Sequence, residues 1–237
     1  MLTALGIMPA GTKVWRYMSC ARFVWLLQQR KLWLSRADYL GDPWEIALAG
    51  DQLARVILGA PISHLGEPPR EPVETRSERI VKSWRRMTFI NCWSAQEHES
   101  HALWRIYCPT SEGVAIQTTL ARLQGSVSDL PVYQVTYQIP GITPHTPNLE
   151  DLATKKRPMF AYEHEVRILH LIDPNHAEPV PVGFGLPWNP EKHVESIHVH
   201  PDSDDSFFAS VSATVQTYSP LLWEKVKPSA MSEQPPF

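Results

Sequence analysis

The sequence lacks the signatures of the common nucleotide-binding and hydrolytic families. It has no P-loop, no G-x-G-x-x-G, no G-x-S-x-G and no H-E-x-x-H. Those readings of the chain are therefore excluded at the motif level. Cysteine is scarce. Cys20, Cys92 and Cys108 are odd in number, widely spaced and never in a C-x-x-C pair, which excludes a zinc ribbon and a disulfide framework and fits a reducing cytoplasm. No apolar run approaches the length of a membrane span, and no membrane partner is expected. Met1 to Ala10 has neither a basic n-region nor a long apolar h-region, so no cleaved signal is expected and the location is read as cytoplasmic. The net charge of −3 and pI near 6.4 exclude a generally basic nucleic-acid coat, although not a local basic patch.

What is present is an ordinary globular mix with two excesses. The 237 residues are 43% apolar and 20% charged, enough to bury a core without staples and short for two full domains. A single domain over 1–237 is expected, with a flexible segment at 61–73 and a tail at 229–237. There are 22 prolines and 9 tryptophans. Seven of the tryptophans lie in the first 104 residues and 16 of the prolines after them, so the halves differ. The expected class is α+β: a helix-rich N-terminal half packed on a mixed, mainly antiparallel sheet. Strands are predicted at Val14–Tyr17, Leu32–Leu34, Phe89–Trp93, Gly113–Gln117, Val132–Gln138, Tyr162–Leu171, Val194–His200 and Leu221–Val226. Helices are predicted after Ser19, over Trp44–Leu58, from Thr75, from Ser94 to Tyr107, after Asn148 and from Ser203.

The densest chemistry is Tyr162-Glu163-His164-Glu165-Val166-Arg167. Strand alternation puts Glu163, Glu165 and Arg167 on one face. Such a face is either exposed, with a Glu165–Arg167 ion pair, or forms a polar cleft. In a cleft one carboxylate meets a developing cation and the other handles a proton. Arg16, set in an apolar strand, either snorkels or binds an anion such as a phosphate. Ser94 reads as a helix N-cap partnered with Glu97. Asp42-Pro43-Trp44-Glu45 reads as a helix N-terminal box. His98-x-x-His101 and His198-x-His200 have metal-compatible spacing but no third ligand nearby, so no metal is expected.

Taken in order, several landmarks resemble the bacterial domain of unknown function 2971 family over about residues 14–230. These are Trp15-Arg16-Tyr17, Gly41-Asp42-Pro43-Trp44-Glu45, Cys92-Trp93-Ser94, Trp104-x-x-Tyr107, and Tyr162-Glu163-x-Glu165-x-Arg167. Gly41, Trp93 and Leu103 depart from the family's usual Asn, Phe and Met. The order of Arg16, Ser94 and Glu163-x-Glu165 is also similar to arginine-serine-glutamate ADP-ribosyltransferases, with Cys92-Trp93-Ser94 in place of Ser-Thr-Ser. That resemblance implies a split sheet and NAD as the nucleotide. The acceptor would be a protein or nucleic acid, in the setting of a toxin or phage-defence effector. It makes Glu165 the catalytic carboxylate that holds the ribose and stabilises an oxocarbenium-like transition state. Glu163 would orient or deprotonate the acceptor, Arg16 would bind a phosphate or ribose, and Ser94 would steady the glutamate. Tyr17, Trp93, Trp104 and Tyr107 complete the expected nucleotide site, with the tryptophans walling a cleft. Two rivals stay open: a non-catalytic nucleotide- or partner-sensing module, and a metal-dependent hydrolase or nuclease built from Asp42, Glu45, Glu163 and Glu165.

Overall fold

A computed structural model describes residues 8–47, 73–127, 129–139, 148–173, 180–233 and 235. The expected connector Pro61–Pro72, most of the helix expected over Trp44–Leu58 and the loop Pro140–Pro147 lie outside the described residues. The strands are β1 (Lys13–Ser19), β2 (Lys31–Arg36), β3 (Thr88–Ala95), β4 (Gly113–Thr119), β5 (Val132–Gln134), β6 (Thr136–Tyr137), β7 (Lys155–Lys156), β8 (Glu165–Leu171), β9 (Gly183–Pro187), β10 (Ser196–Val199) and β11 (Val226–Pro228). The α-helices are α1 (Cys20–Gln29), α2 (Val73–Met87), α3 (His101–Tyr107), α4 (Leu120–Ser126), α5 (Leu149–Ala153), α6 (Pro190–His193) and α7 (Asp205–Tyr218).

The class is α+β, and the large sheet is antiparallel apart from the β10–β11 pair. The N-terminal half also supplies three of its strands, β1, β2 and β3. The order is β11-β10-β4-β1-β3-β2-β9, with β8 on β3 and β5 on β8. Period-two alternation along β1 divides the core in two. Val14 and Met18 join Phe23, Leu26 and Leu27 of α1 and Val211 and Val215 of α7 in the main core. Trp15 and Tyr17 point the other way, against Leu103, Trp104, Cys108 and Ala115. Each such side chain contributes about 1.5–3 kcal/mol by leaving water.

The sheet splits along one edge of β3. At one end β2 pairs with it, Ser35 opposite Ile90 and Arg36 opposite Phe89. At the other end β1 pairs with it, Val14 opposite Ala95 and Trp15 opposite Ser94. Asn91, Cys92 and Trp93 lie between, with no strand partner on that side, and side chains satisfy the gap. Asn91 Nδ2 donates to Trp33 O at 2.8 Å, Trp93 Nε1 to Asn91 Oδ1 at 2.7 Å, and Arg16 Nη1 to Cys92 O at 3.3 Å. On the other edge of β3, β8 pairs over the full length, from Thr88 opposite Leu171 to Ser94 opposite Glu165. β9 lies so close to β2 that a Cβ at Gly183 would come within 2.6 Å of the Leu34 carbonyl oxygen.

Several boundaries differ from expectation. The helix expected from Ser94 begins at His101, with Ser100 as its cap accepting from Leu103 N. β3 runs on to Ala95, which places Ser94 inside a strand. The strand expected over Val132–Gln138 breaks at Val135, whose N–H turns to Glu165 O at 2.9 Å, so that β5 pairs with β8 and β6 with β7. The strand expected from Leu221 is a 3-10 helix, Pro220–Lys225, followed by β11. Asn148 and Asp151 form a full capping box before α5.

Candidate active site

Glu163 and Glu165 are not on one strand. Glu163 ends the 3-10 helix Pro158–Glu163, and His164 adopts a left-handed conformation (φ 44°). Histidine tolerates that region better than most residues. The reversal at His164 sends both carboxylates to the same ammonium. Lys156 Nζ, on β7, lies 2.6 Å from Glu163 Oε2 and 3.3 Å from Glu165 Oε2. Arg167 forks onto Glu165, Nε to Oε1 at 3.0 Å and Nη2 to Oε2 at 2.9 Å, and donates Nη1 to Ala153 O at 2.7 Å. Glu45 joins as an ion-pair partner of Arg167 (2.8 Å) and of Lys156 (3.6 Å). It stands in a turn where Ile46 has φ 55°, a strained conformation for a β-branched residue. The helix expected to begin at Asp42 is thus a turn over these residues. The Asp42 carboxylate accepts from Trp44 N and from Arg157.

The result is a buried cluster of three carboxylates and two cations. Burial pushes Glu165 upward, but Arg167 and Lys156 outweigh it and hold Glu165 well below the ordinary carboxylate range. Glu163 shifts the other way: burial raises it and Lys156 offsets only part. Burial disfavours the charge on Lys156, yet Glu165, Glu45 and Glu163 together raise it. The neighbours thus push two adjacent carboxylates apart, a pattern that divides charge stabilisation from proton handling.

Six of the eight expected residues gather here. Ser94 faces Glu165 across the β3–β8 register, and its hydroxyl donates to Glu163 O at 2.7 Å, so it is a brace rather than the expected N-cap. Arg16 sits at the split, its guanidinium carbon 6.0 Å from the Trp93 ring centroid. Burial lowers its pKa to about 10, which leaves it charged near neutral pH. Tyr107, at the end of α3, is 44% exposed. Burial of its hydroxyl and the nearby Glu163, Cys92 and Glu165 push its ionisation upward. Tyr17 and Trp104 do not gather here. They pack against each other edge-to-face in the second core, where Tyr17 Oη accepts from Ser100 N and Trp104 Nε1 donates to Glu99. Trp15 is in the same core with its N–H on Gln96 O. Among the described residues, Trp93 is the tryptophan in ring contact with Arg16; Trp15 and Trp104 are buried in the second core, and Trp33 and Trp44 are exposed, so the tryptophans do not gather into one wall there.

Sequence reasoning did not assign Lys156 to the site; it placed Arg167 beside Glu165 only as an ion-pair partner, and it read Glu45 as part of a helix N-terminal box or of a metal site. In the structure, Lys156 and Arg167 fill the space between those carboxylates. Among the described residues, no group of three or more His, Cys, Asp or Glu side chains is arranged to hold a metal ion. The His198-x-His200 pair is used elsewhere. His198 Nδ1 lies 2.7 Å from Glu99 Oε1 and its Nε2 2.9 Å from Ser196 Oγ. Glu99 also accepts from Trp104 Nε1, Ser229 Oγ and Ala230 N. Burial pushes Glu99 up, but His198 first, then Ser229 and Ala230 N–H, outweigh it and hold it at about 2. Its stabilisation is present above the ordinary carboxylate pKa and is lost as pH falls toward 2. Glu99→Gln is expected to remove about 3 kcal/mol at pH 7 and to flatten the stability loss between pH 4.5 and 2, read by urea unfolding across pH.

The fold and site together define a mainly antiparallel α+β protein whose split sheet borders a buried glutamate–lysine–arginine cluster. No family model matches the chain, and no curated protein matches it. The likeness to the domain of unknown function 2971 family therefore rests on the motifs alone. The chain is similar to two solved structures: Thermus sp. 2.9 DarT in complex with carba-NAD+, at 13% identity and TM-score 0.45, covering 94% of this chain and 98% of that one, and Thermus sp. 2.9 DarT in complex with ADP-ribosylated ssDNA, at 14% identity and TM-score 0.40, covering 93% of each. Among the described residues, no helix is long and apolar enough to cross a membrane.

Proposed function

We propose that the protein is an ADP-ribosyltransferase that cleaves NAD and transfers ADP-ribose to a macromolecular acceptor. One observation carries the reading: residues spread over 150 positions of chain meet on adjoining strands, Arg16 of β1 bonding Cys92 O of β3, and Ser94 of β3 facing Glu165 of β8 and donating to Glu163 O. The residue types suit the nucleotide. Arg16 keeps its charge near neutral pH beside the split, and its planar fork matches a pyrophosphate. Tyr107, 44% exposed, offers an aromatic side chain for stacking. In the reaction, the bond between the ribose anomeric carbon and the nicotinamide nitrogen breaks, and its electron pair leaves with nicotinamide. The ribose gains cationic character, which the net negative cluster stabilises. An acceptor nucleophile then bonds to the anomeric carbon and gives its proton to a carboxylate or to water.

The test is incubation with NAD labelled in the adenylate portion, with proteins, single-stranded DNA and RNA as acceptors. Nicotinamide release and label transfer are expected. Arg16→Ala is expected to weaken NAD binding at least about tenfold, the order of one charge-assisted contact. Wild type that neither releases nicotinamide nor transfers label overturns the reading. If it nevertheless binds NAD through Arg16, the sensing module replaces it.

A further inference from the structure

The two glutamates differ in what their oxygens have left to offer. An ionised carboxylate has about four acceptor positions. Glu165 Oε1 takes Arg167 Nε, and Oε2 takes Arg167 Nη2 and Lys156 Nζ. Three of the positions on Glu165 are thus taken by cationic donors, and its side chain is buried. Glu163 has one partner, Lys156, on Oε2. Its Oε1 accepts no hydrogen bond from a described residue, although the residue is buried, at 6% exposure. The Tyr107 hydroxyl is near enough to feel the charge of both glutamates.

We propose that Glu163, through Oε1, is the carboxylate that meets the substrate ribose, and that Glu165 is a positioning residue which, with Arg167, fixes Lys156 against Glu163. This reverses the roles implied by the sequence resemblance and rests on the ADP-ribosyltransferase reading for its substrate. The charged and titratable groups facing Glu163 are Lys156 from β7, Glu165 and Arg167 from β8, Tyr107 from α3 and Tyr137 from β6. Removing the negative charge of Glu165 leaves Lys156 more fully available to Glu163, which favours the ionised form of Glu163.

The experiment compares Glu163→Gln and Glu165→Gln with wild type in two assays. In the first, nicotinamide release is followed across pH. Glu163→Gln is expected to lower kcat by about 10²–10³-fold with an unchanged melting temperature. Glu165→Gln is expected to lower kcat at least about tenfold less than Glu163→Gln does, to melt lower, and to move the acid limb of the profile to lower pH. A merely structural Glu165 would leave that limb in place, which overturns the positioning role. Loss of turnover in Glu165→Gln with near-normal turnover in Glu163→Gln overturns the assignment outright. The second assay needs no turnover: a water-soluble carbodiimide with glycine ethyl ester labels carboxylates that reagents can reach, and peptide mass spectrometry locates the adduct. Label on Glu163 and none on Glu165 is expected. If wild type releases no nicotinamide, the function fails while this labelling still decides which glutamate is open. Label on Glu165 and none on Glu163 overturns the proposal. Glu165→Asp serves as the folded control should Glu165→Gln not fold.

Discussion

Arg167→Met is expected to destabilise the protein by about 3–5 kcal/mol at pH 7. Arg167 is completely buried in the middle of β8. Its guanidinium holds both oxygens of Glu165, the Ala153 carbonyl and the Glu45 carboxylate. Methionine fills much of the volume but supplies no donor. Glu165 and Glu45 then face each other with only Lys156 between them, and the three carboxylates share a single cation. The penalty comes from the charges left behind more than from the bonds removed, which is why it exceeds that of an exposed ion pair. The pH dependence separates this account from lost packing. Neighbouring cations depress the Glu165 pKa, so the stability they lend is present above the ordinary carboxylate range and disappears as pH falls below it. The gap between wild type and Arg167→Met should therefore narrow in acid. Urea unfolding with an unchanged m-value is the measurement. A gap under 1 kcal/mol at pH 7, or one that is constant with pH, would show that Arg167 does not hold the cluster.

Much of the sheet was legible because β1, β3, β4 and β10 are short, mostly apolar runs buried on both faces. Strand alternation separates Arg16 from Tyr17, which must face opposite sides of β1, so grouping both in one nucleotide site ran against a signal already in the sequence. The Glu163-x-Glu165 spacing misled for a different reason. It suits a strand, but Pro158 opens a 3-10 helix and His164 turns the chain, so the two carboxylates converge through backbone reversal. Nothing local joined Lys156 to Glu45. They lie 111 residues apart, and Asp42-Pro43-Trp44-Glu45 reads as a helix N-terminal box until the fold brings Glu45 to the lysine. The double reading of Ser94 fell to topology too, since a pairing with Glu165 extends β3 past the residue that a capping pattern would make its end.

Lys156→Met is expected to move the acid limb of NAD cleavage upward by at least about one pH unit, in the direction opposite to Glu165→Gln. Among the described residues, Lys156 is the one cation in ion-pair contact with Glu163. Burial already raises the Glu163 pKa, and Lys156 is the largest influence opposing it. An opposite charge this close ordinarily shifts a carboxyl by about 1–3 units. Without it, Glu163 keeps its proton to higher pH, and turnover that needs the ionised form is lost over a wider acid range. The stability consequence has the opposite sign from that at Glu165. A carboxyl whose folded pKa is raised contributes stability below its unfolded pKa and loses it as pH rises through the folded value. The variant should therefore be closest to wild type in mild acid and weakest near neutrality. Lys156→Arg keeps the charge and should return the limb most of the way toward wild type, although its planar fork cannot reproduce three contacts made by one ammonium. A Lys156→Met limb that coincides with wild type would detach Glu163 from the proton step. Equal destabilisation at every pH would mean that the lysine serves packing alone.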